Sequence, residues 1–188
     1  EMCIRDRSGA LQMNGWCNGG YFVDGYTVIG AQKIDGKDYY FYEVYYGKDP
    51  RGVYPINTKG IFKVNGILYY YDGNGKREKI SLKEGWNKLS NGDYCYVKNG
   101  ELQRSAAVIN GRTYGFDPKT GLMLRNSFCS LSEEKYYFND KGEMVKNAWI
   151  SDAGEWYYAG ASGSMVTGSQ TIKGKTYYFD YSGKWIEQ

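Results

Sequence analysis

Eight times along this chain a cluster of aromatic residues follows a short polar turn. The copies read NGGYFV (18–23), GKDYYF (36–41), GILYYY (66–71), GDYCYV (92–97), GRTYGF (111–116), EEKYYF (133–138), GEWYYA (154–159) and GKTYYF (174–179). Their first residues lie 18, 30, 26, 19, 22, 21 and 20 positions apart. A period near twenty is too short for a unit to bury its own apolar surface, so each unit must stack on its neighbours. One large central core is thereby excluded, and an extended binding surface is favoured over a catalytic cleft.

The unit itself reads as a β-hairpin. In residues 147–159 two short runs of bulky residues, around Trp149-Ile150 and Trp156-Tyr157-Tyr158, flank the turn Ser151-Asp152-Ala153-Gly154. Glycine precedes the aromatic cluster at 36, 66, 92, 111, 154 and 174, with Asn18 and Glu133 as the exceptions. Gly and Asn accept positive φ, so seven copies fit a left-handed turn residue, while Glu133 predicts a differently shaped or looser turn. Strand side chains alternate, which puts Tyr39 and Phe41 on one face and Tyr40 on the other. Both faces are then aromatic, and a lone hairpin cannot bury both. Stacking hairpin on hairpin resolves this. After each cluster comes a second turn, such as Asn139-Asp140-Lys141-Gly142, and a short linker such as Glu143-Met144-Val145. No segment carries sustained helical periodicity. The predicted fold is all-β, a β-solenoid of stacked hairpin repeats of about twenty residues. One or two longer repeats fall in the N-terminal half, where residues 42–60 form an extra, partly aromatic stretch. Pro50 and Pro55 argue against a central strand there.

Composition narrows the chemistry. Aromatics make up 18% of the chain, 21 of them Tyr, which excludes a disordered polar tail. Net charge is only +3 and scattered, so a nucleic-acid partner is not indicated. There is no histidine, which removes the commonest general base and metal ligand. Cys3, Cys17, Cys95 and Cys129 lack metal-ligand spacing and fall at non-equivalent repeat positions, so neither a metal site nor a disulfide framework is expected. Cys95 stands where other copies carry Tyr and reads as a small packed residue. The acids, Asp35, Asp38, Glu43 and Asp72 among them, fall mostly in turns and form no recognisable catalytic pair. No run approaches the ~18 apolar residues of a membrane span. Residues 1–12 match neither the repeat nor a signal peptide and read as a segment foreign to the array, such as a translated scar; an export signal would then lie outside this chain.

Gly-x-x-Tyr-Tyr-Phe, then Asp/Asn-x-x-Gly, then a Met-Val-x-Gly-like linker resembles the cell-wall-binding repeats of Gram-positive surface proteins. That superfamily includes choline-binding modules, glucan-binding repeats and the repetitive domains of clostridial toxins. The resemblance covers residues 13–188, taken as one repeat domain. It implies a secreted, cell-surface or wall-associated module without cofactor or catalytic activity, whose partner is a cell-wall polymer, through choline or glucan. Choline-binding members hold a quaternary ammonium between two Trp of one hairpin and an aromatic of the next. Here that pattern points to Trp149 and Trp156, with Tyr178 from the following repeat and Met165 from the linker between. In other copies the slot of Trp149 holds Ala31, Ile61, Ala106, Phe128 or Ser169, so most cages are absent and the texture is closer to glucan-binding and toxin-type repeats. Trp16, Trp86 and Trp185 are not singled out by spacing, and Trp185 reads as a cover for the open end of the array. A protein–protein or host-receptor adhesion module, or a spacer for another domain, are the alternatives. A broad flat patch would favour the first and a uniformly polar exterior the second.

Overall fold

A computed structural model describes residues 15–17, 20–23, 26–45, 53–131 and 133–186; the N-terminal segment 1–12 lies outside these. Among the described residues all regular structure is β, arranged as many small antiparallel sheets and no helix. The chain divides into two compact units, 1–93 with 119–121, and 94–118 with 122–188.

The first unit contains β1 (Gly15–Cys17), β2 (Gly20–Val23), β3 (Tyr26–Thr27), β4 (Gly30–Ile34), β5 (Lys37–Tyr45), β6 (Val53–Asn57), β7 (Gly60–Val64), β8 (Ile67–Tyr71), β9 (Arg77–Lys79) and β10 (Gly85–Lys88). Three three-stranded sheets run β1-β2-β3, β4-β5-β6 and β7-β8-β9. Part of the extra stretch is strand: β5 extends to Tyr45 and β6 pairs along it, with Pro55 opposite Glu43 on the edge strand, while Pro50 lies outside the described residues. An edge is where a residue lacking an N–H can sit. Tyr70 is buried, and its hydroxyl donates to Asp93 at 2.9 Å. Asp93 also accepts from Asn91 at 2.8 Å and pairs with Lys59 at 2.6 Å.

The second unit contains β11 (Tyr94–Lys98), β12 (Glu101–Leu102), β13 (Ala107–Ile109), β14 (Arg112–Tyr114), β15 (Ser127–Leu131), β16 (Glu134–Phe138), β17 (Ala148–Asp152), β18 (Glu155–Ala159), β19 (Gly168–Ile172), β20 (Lys175–Phe179) and β21 (Trp185–Ile186). Its hairpins share one turn design. The two residues between the strands both have positive φ: Asn110 and Gly111 at 50° and 78°, Ala153 and Gly154 at 51° and 84°, Lys173 and Gly174 at 50° and 80°. This is the turn whose twist matches a hairpin. Glu133 does not loosen the pattern. It takes the same left-handed conformation, φ 71°, and Leu131 pairs with Glu134 across the turn as the other hairpins pair. The closing of the turn by strand pairing outweighs the residue's own preference.

The second turns are built differently. Asn139 Oδ1 accepts the N–H groups of Lys141 and Glu143, both at 2.9 Å, and Asp180 Oδ1 accepts those of Ser182 and Lys184 at 2.8 and 2.9 Å. The same device recurs at Asp72 in the first unit. One acceptor atom thus folds five residues, the local role in which Asp and Asn excel.

Each linker is clasped by two hairpins. Met144 bridges Phe138 of its own hairpin, while its N–H donates to Thr113 of the preceding one at 2.8 Å. Met165 repeats this with Ala159 and with Lys135, the latter at 2.7 Å. The second-turn glycine of the following repeat then lies directly on the methionine. A Cβ added at Gly142, Gly163 or Gly183 would fall 2.5 Å from Met123 Sδ, 2.6 Å from Met144 Sδ and 2.9 Å from Met165 Cβ. The core is the recurring last position of the aromatic cluster: Phe116, Phe138, Ala159 and Phe179 are all buried, with Ile109, Ile150 and Ile172 behind them. Cys95 is likewise buried, and desolvation pushes its thiol up to about 11.

Candidate functional site

Trp149 stands on β17 opposite Tyr158 of β18, and Trp156 stands opposite Ser151 two residues nearer the turn. Cross-strand partners share a face, so all four project from one side of the hairpin. The small Ser151 leaves room beside Trp156. The Trp149 and Trp156 rings lie 6.4 Å apart at 79°, and Trp149 meets Tyr158 at 5.3 Å and 67°. The following repeat closes on the same ring: Tyr177 lies 4.9 Å from Trp149, Phe179 5.7 Å and Trp185 6.1 Å. Tyr177 and Trp185 are in edge contact at 6.2 Å.

Trp156 and Trp185 also face an open groove of ≈ 440 Å³, whose wall continues through Gly154, Glu155, Asp180, Lys184 and Ile186. Trp156 is 44% exposed there. Glu155 accepts from Lys184 Nζ at 2.7 Å, and that bond raises the lysine pKa. The Ser182 hydroxyl and the second-turn N–H groups hold the Asp180 carboxyl below its ordinary value. Lys175 Nζ lies 5.3 Å from the Tyr177 ring centroid on the neighbouring hairpin. Chemically the groove offers two indole surfaces, a hydrogen-bonding rim and carboxylates. It can stack on a sugar ring or hold an alkylammonium, and it contains no nucleophile–base pair.

The four residues expected from the sequence are not brought together. Trp149 and Trp156 meet. Tyr178 instead lies on the opposite face of β20 from Tyr177, paired with Ser169 and Ile186 and 40% exposed. Period-two alternation turns Tyr177, not Tyr178, toward Trp149. Met165 is only 8% exposed and packs with Ile150 and Ala159 on the other side of β17–β18, because its bridge to Ala159 fixes that face. Trp185 belongs to the aromatic group through β21, which returns antiparallel along β20.

The first unit holds a counterpart that spacing alone did not reveal. Trp16 stands opposite Tyr21 at 5.4 Å and 72°, and meets Tyr39 and Phe41 of the next repeat at 4.8 and 5.6 Å. These partners correspond one to one with Tyr158, Tyr177 and Phe179 around Trp149. The two members of the Trp16↔Tyr21 pair are five residues apart in sequence, against nine for Trp149↔Tyr158, so a fixed repeat offset passes over the first. The signal that finds it is cross-strand pairing.

Comparison with known proteins bears on this arrangement. Residues 131–167 match the family described as Choline-binding repeat, and residues 170–184 the family described as Putative cell wall binding repeat. The chain is 31% identical over 103 residues to Glucosyltransferase-I of Streptococcus downei, covering 55% of this chain and 6% of that protein. It is 30% identical over 184 residues to Glucosyltransferase-S of Streptococcus mutans, covering 95% and 10%. The chain thus spans a tenth or less of the length of these relatives. Among solved structures it is similar to choline binding protein F from Streptococcus pneumoniae, 29% identical over 89% of this chain and 55% of that one, TM-score 0.48. It is also similar to CbpJ from Streptococcus pneumoniae TIGR4, 22% identical over 96% and 68%, TM-score 0.49. Trp149 and Trp156 fall within residues 131–167, the segment that matches the choline-binding repeat.

Proposed function

We propose that these repeats form a non-catalytic binding module, a β-solenoid of hairpins across residues 13–188, that anchors a secreted bacterial surface protein to a cell-wall polymer. The carrying observation is the pair Trp156 and Trp185, two indoles on an open groove backed by Trp149 and Tyr177 and rimmed by Glu155 and Asp180. Aromatic faces beside carboxylates suit the quaternary ammonium of a choline-bearing polymer, since such a cation has no hydrogen bond to offer and gains most from ring faces. The clasped linkers and the left-handed turns support the solenoid, because they repeat the same relation between each hairpin and the one before it.

A second reading, in which the groove holds an α-glucan, is favoured by the Glucosyltransferase-S match that spans 95% of this chain and by the hydrogen-bonding rim. Titration of intrinsic Trp fluorescence with choline and, separately, with α-glucan oligosaccharides tests both. Saturation by choline alone supports the wall-polymer anchor, and saturation by glucan alone replaces it with the second reading. A folded chain silent to both sinks each of them and leaves the adhesion or spacer alternatives.

A further inference from the structure

The hairpin β15–β16 repeats the register of β17–β18 residue for residue. Phe128 stands opposite Tyr137 as Trp149 stands opposite Tyr158, and Ser130 opposite Lys135 as Ser151 opposite Trp156. Lys135 therefore occupies the position at which the next hairpin carries its exposed Trp. The aromatic frame around it is the same in kind. Phe128 meets Tyr137 of its own hairpin at 4.9 Å and 68°, and Tyr157 of the following hairpin at 4.8 Å and 61°.

Inside that frame sits a positive charge. Lys135 Nζ lies 4.0 Å from the Phe128 ring centroid and 4.4 Å from that of Tyr157, and it donates to the Ser182 carbonyl at 3.4 Å. Both rings are well within the ~6 Å over which a ring face attracts a cation. The backbone of Lys135 is also fixed, because its carbonyl accepts the Met165 N–H at 2.7 Å. A flexible lysine on a hairpin edge would ordinarily extend into water to keep its ammonium hydrated. Here it folds back between two rings.

From this we infer that the Phe128–Tyr157 junction is a second alkylammonium site, closed by the chain's own Lys135. The residue at this hairpin position sets whether a junction is open: Trp widens the aromatic wall and leaves the space free, while Lys fills it. Removing the lysine side chain exposes a pocket for a quaternary ammonium. The inference rests on the reading of these junctions as cation sites, and its test is separable from that reading.

The experiment is isothermal titration of the full chain with tetramethylammonium chloride. Lys135→Ala raises the stoichiometry by one site over the parent, and Trp149→Ala/Lys135→Ala returns it to the parent value. Lys135→Arg, which keeps a cation in the frame, stays at the parent value. Adding Phe128→Leu to Trp149→Ala/Lys135→Ala preserves an apolar side chain but removes a ring face, and weakens the remaining site at least about fivefold. No saturable heat from a folded Trp149→Ala/Lys135→Ala chain overturns the inference, as does binding that Phe128→Leu leaves unchanged. Should the Trp149 variant unfold, the stoichiometry of Lys135→Ala alone decides. If the parent is silent while Lys135→Ala binds, the open site at Trp149 fails and this one stands; if the parent binds one equivalent and Lys135→Ala still binds one, the reverse holds.

Discussion

Replacing Glu133 by glycine should stabilise the protein, although it deletes a side chain and adds none. Glu133 holds φ 71°, while the glycines at the same turn position, Gly36, Gly66, Gly111, Gly154 and Gly174, hold φ between 77° and 84°. At each of those glycines an added Cβ would meet nothing within 4 Å. The preference for glycine there is conformational and owes nothing to crowding. An L-residue in the left-handed region is strained by roughly 1–2 kcal/mol, and glycine's greater freedom in the unfolded chain returns about 0.5–1 kcal/mol of that. Glu133 is exposed, so little packing is lost. The balance is a gain of about 0.5–1 kcal/mol, or roughly 1–4 °C in Tm for a chain of this size. Urea denaturation followed by near-UV circular dichroism measures it, with an unchanged m-value showing that the unfolding unit is the same. Gly154→Ala, the mirror experiment, should lose about 1 kcal/mol. A Glu133→Gly chain no more stable than the parent would refute the argument that φ alone sets the residue at this position.

Gly163→Ala should be more damaging than Gly154→Ala by about 1 kcal/mol or more, because its Cβ would also collide with Met144 Sδ; comparing their denaturation midpoints checks this. Tyr177→Ala should weaken ligand binding at the Trp149 groove by about 1 kcal/mol, and Tyr178→Ala should leave it nearly unchanged, as read by the fluorescence titration. Stability should fall at both extremes of pH through Tyr70 and Asp93. Burial followed by the hydrogen bond to Asp93 raises the Tyr70 pKa, so its contribution is complete below about pH 10 and is lost as pH climbs above that. Burial alone would raise Asp93, but hydrogen bonds from Lys59, Asn91 and Tyr70 outweigh it and lower its pKa. The Asp93 contribution is therefore present above about pH 4 and lost as pH falls through the lower folded value. Melting curves of Tyr70→Phe and Asp93→Asn across pH should show flattened alkaline and acid limbs respectively.

The hairpins were legible in the sequence because turn and aromatic signals coincide every twenty residues, and the Trp149–Trp156 pair because two Trp in one hairpin exceed what packing requires. Tyr177 was not distinguishable from Tyr178. Both faces of the strand are aromatic, and only the stacking direction decides which face meets the next repeat. Met165 is adjacent to the site in sequence, yet its bridge to Ala159 carries it to the opposite face. Trp185 required the return of β21 along β20, a pairing of two residues that leaves little trace in composition. Glu133 shows the converse: its residue type argued against a tight turn, and strand pairing on either side imposed one.

The methionine–glycine contacts carry a consequence for how such a chain can change over generations. Each couples a linker to a turn about twenty residues further on, Met123 to Gly142, Met144 to Gly163 and Met165 to Gly183. Unequal recombination that removes or inserts one complete repeat rejoins a methionine to an equivalent glycine and leaves every junction intact. An insertion of one residue in a linker separates the partners and reverses which face each following strand side chain presents. Length should therefore vary among descendants in whole repeats, with binding valency rising or falling in the same steps.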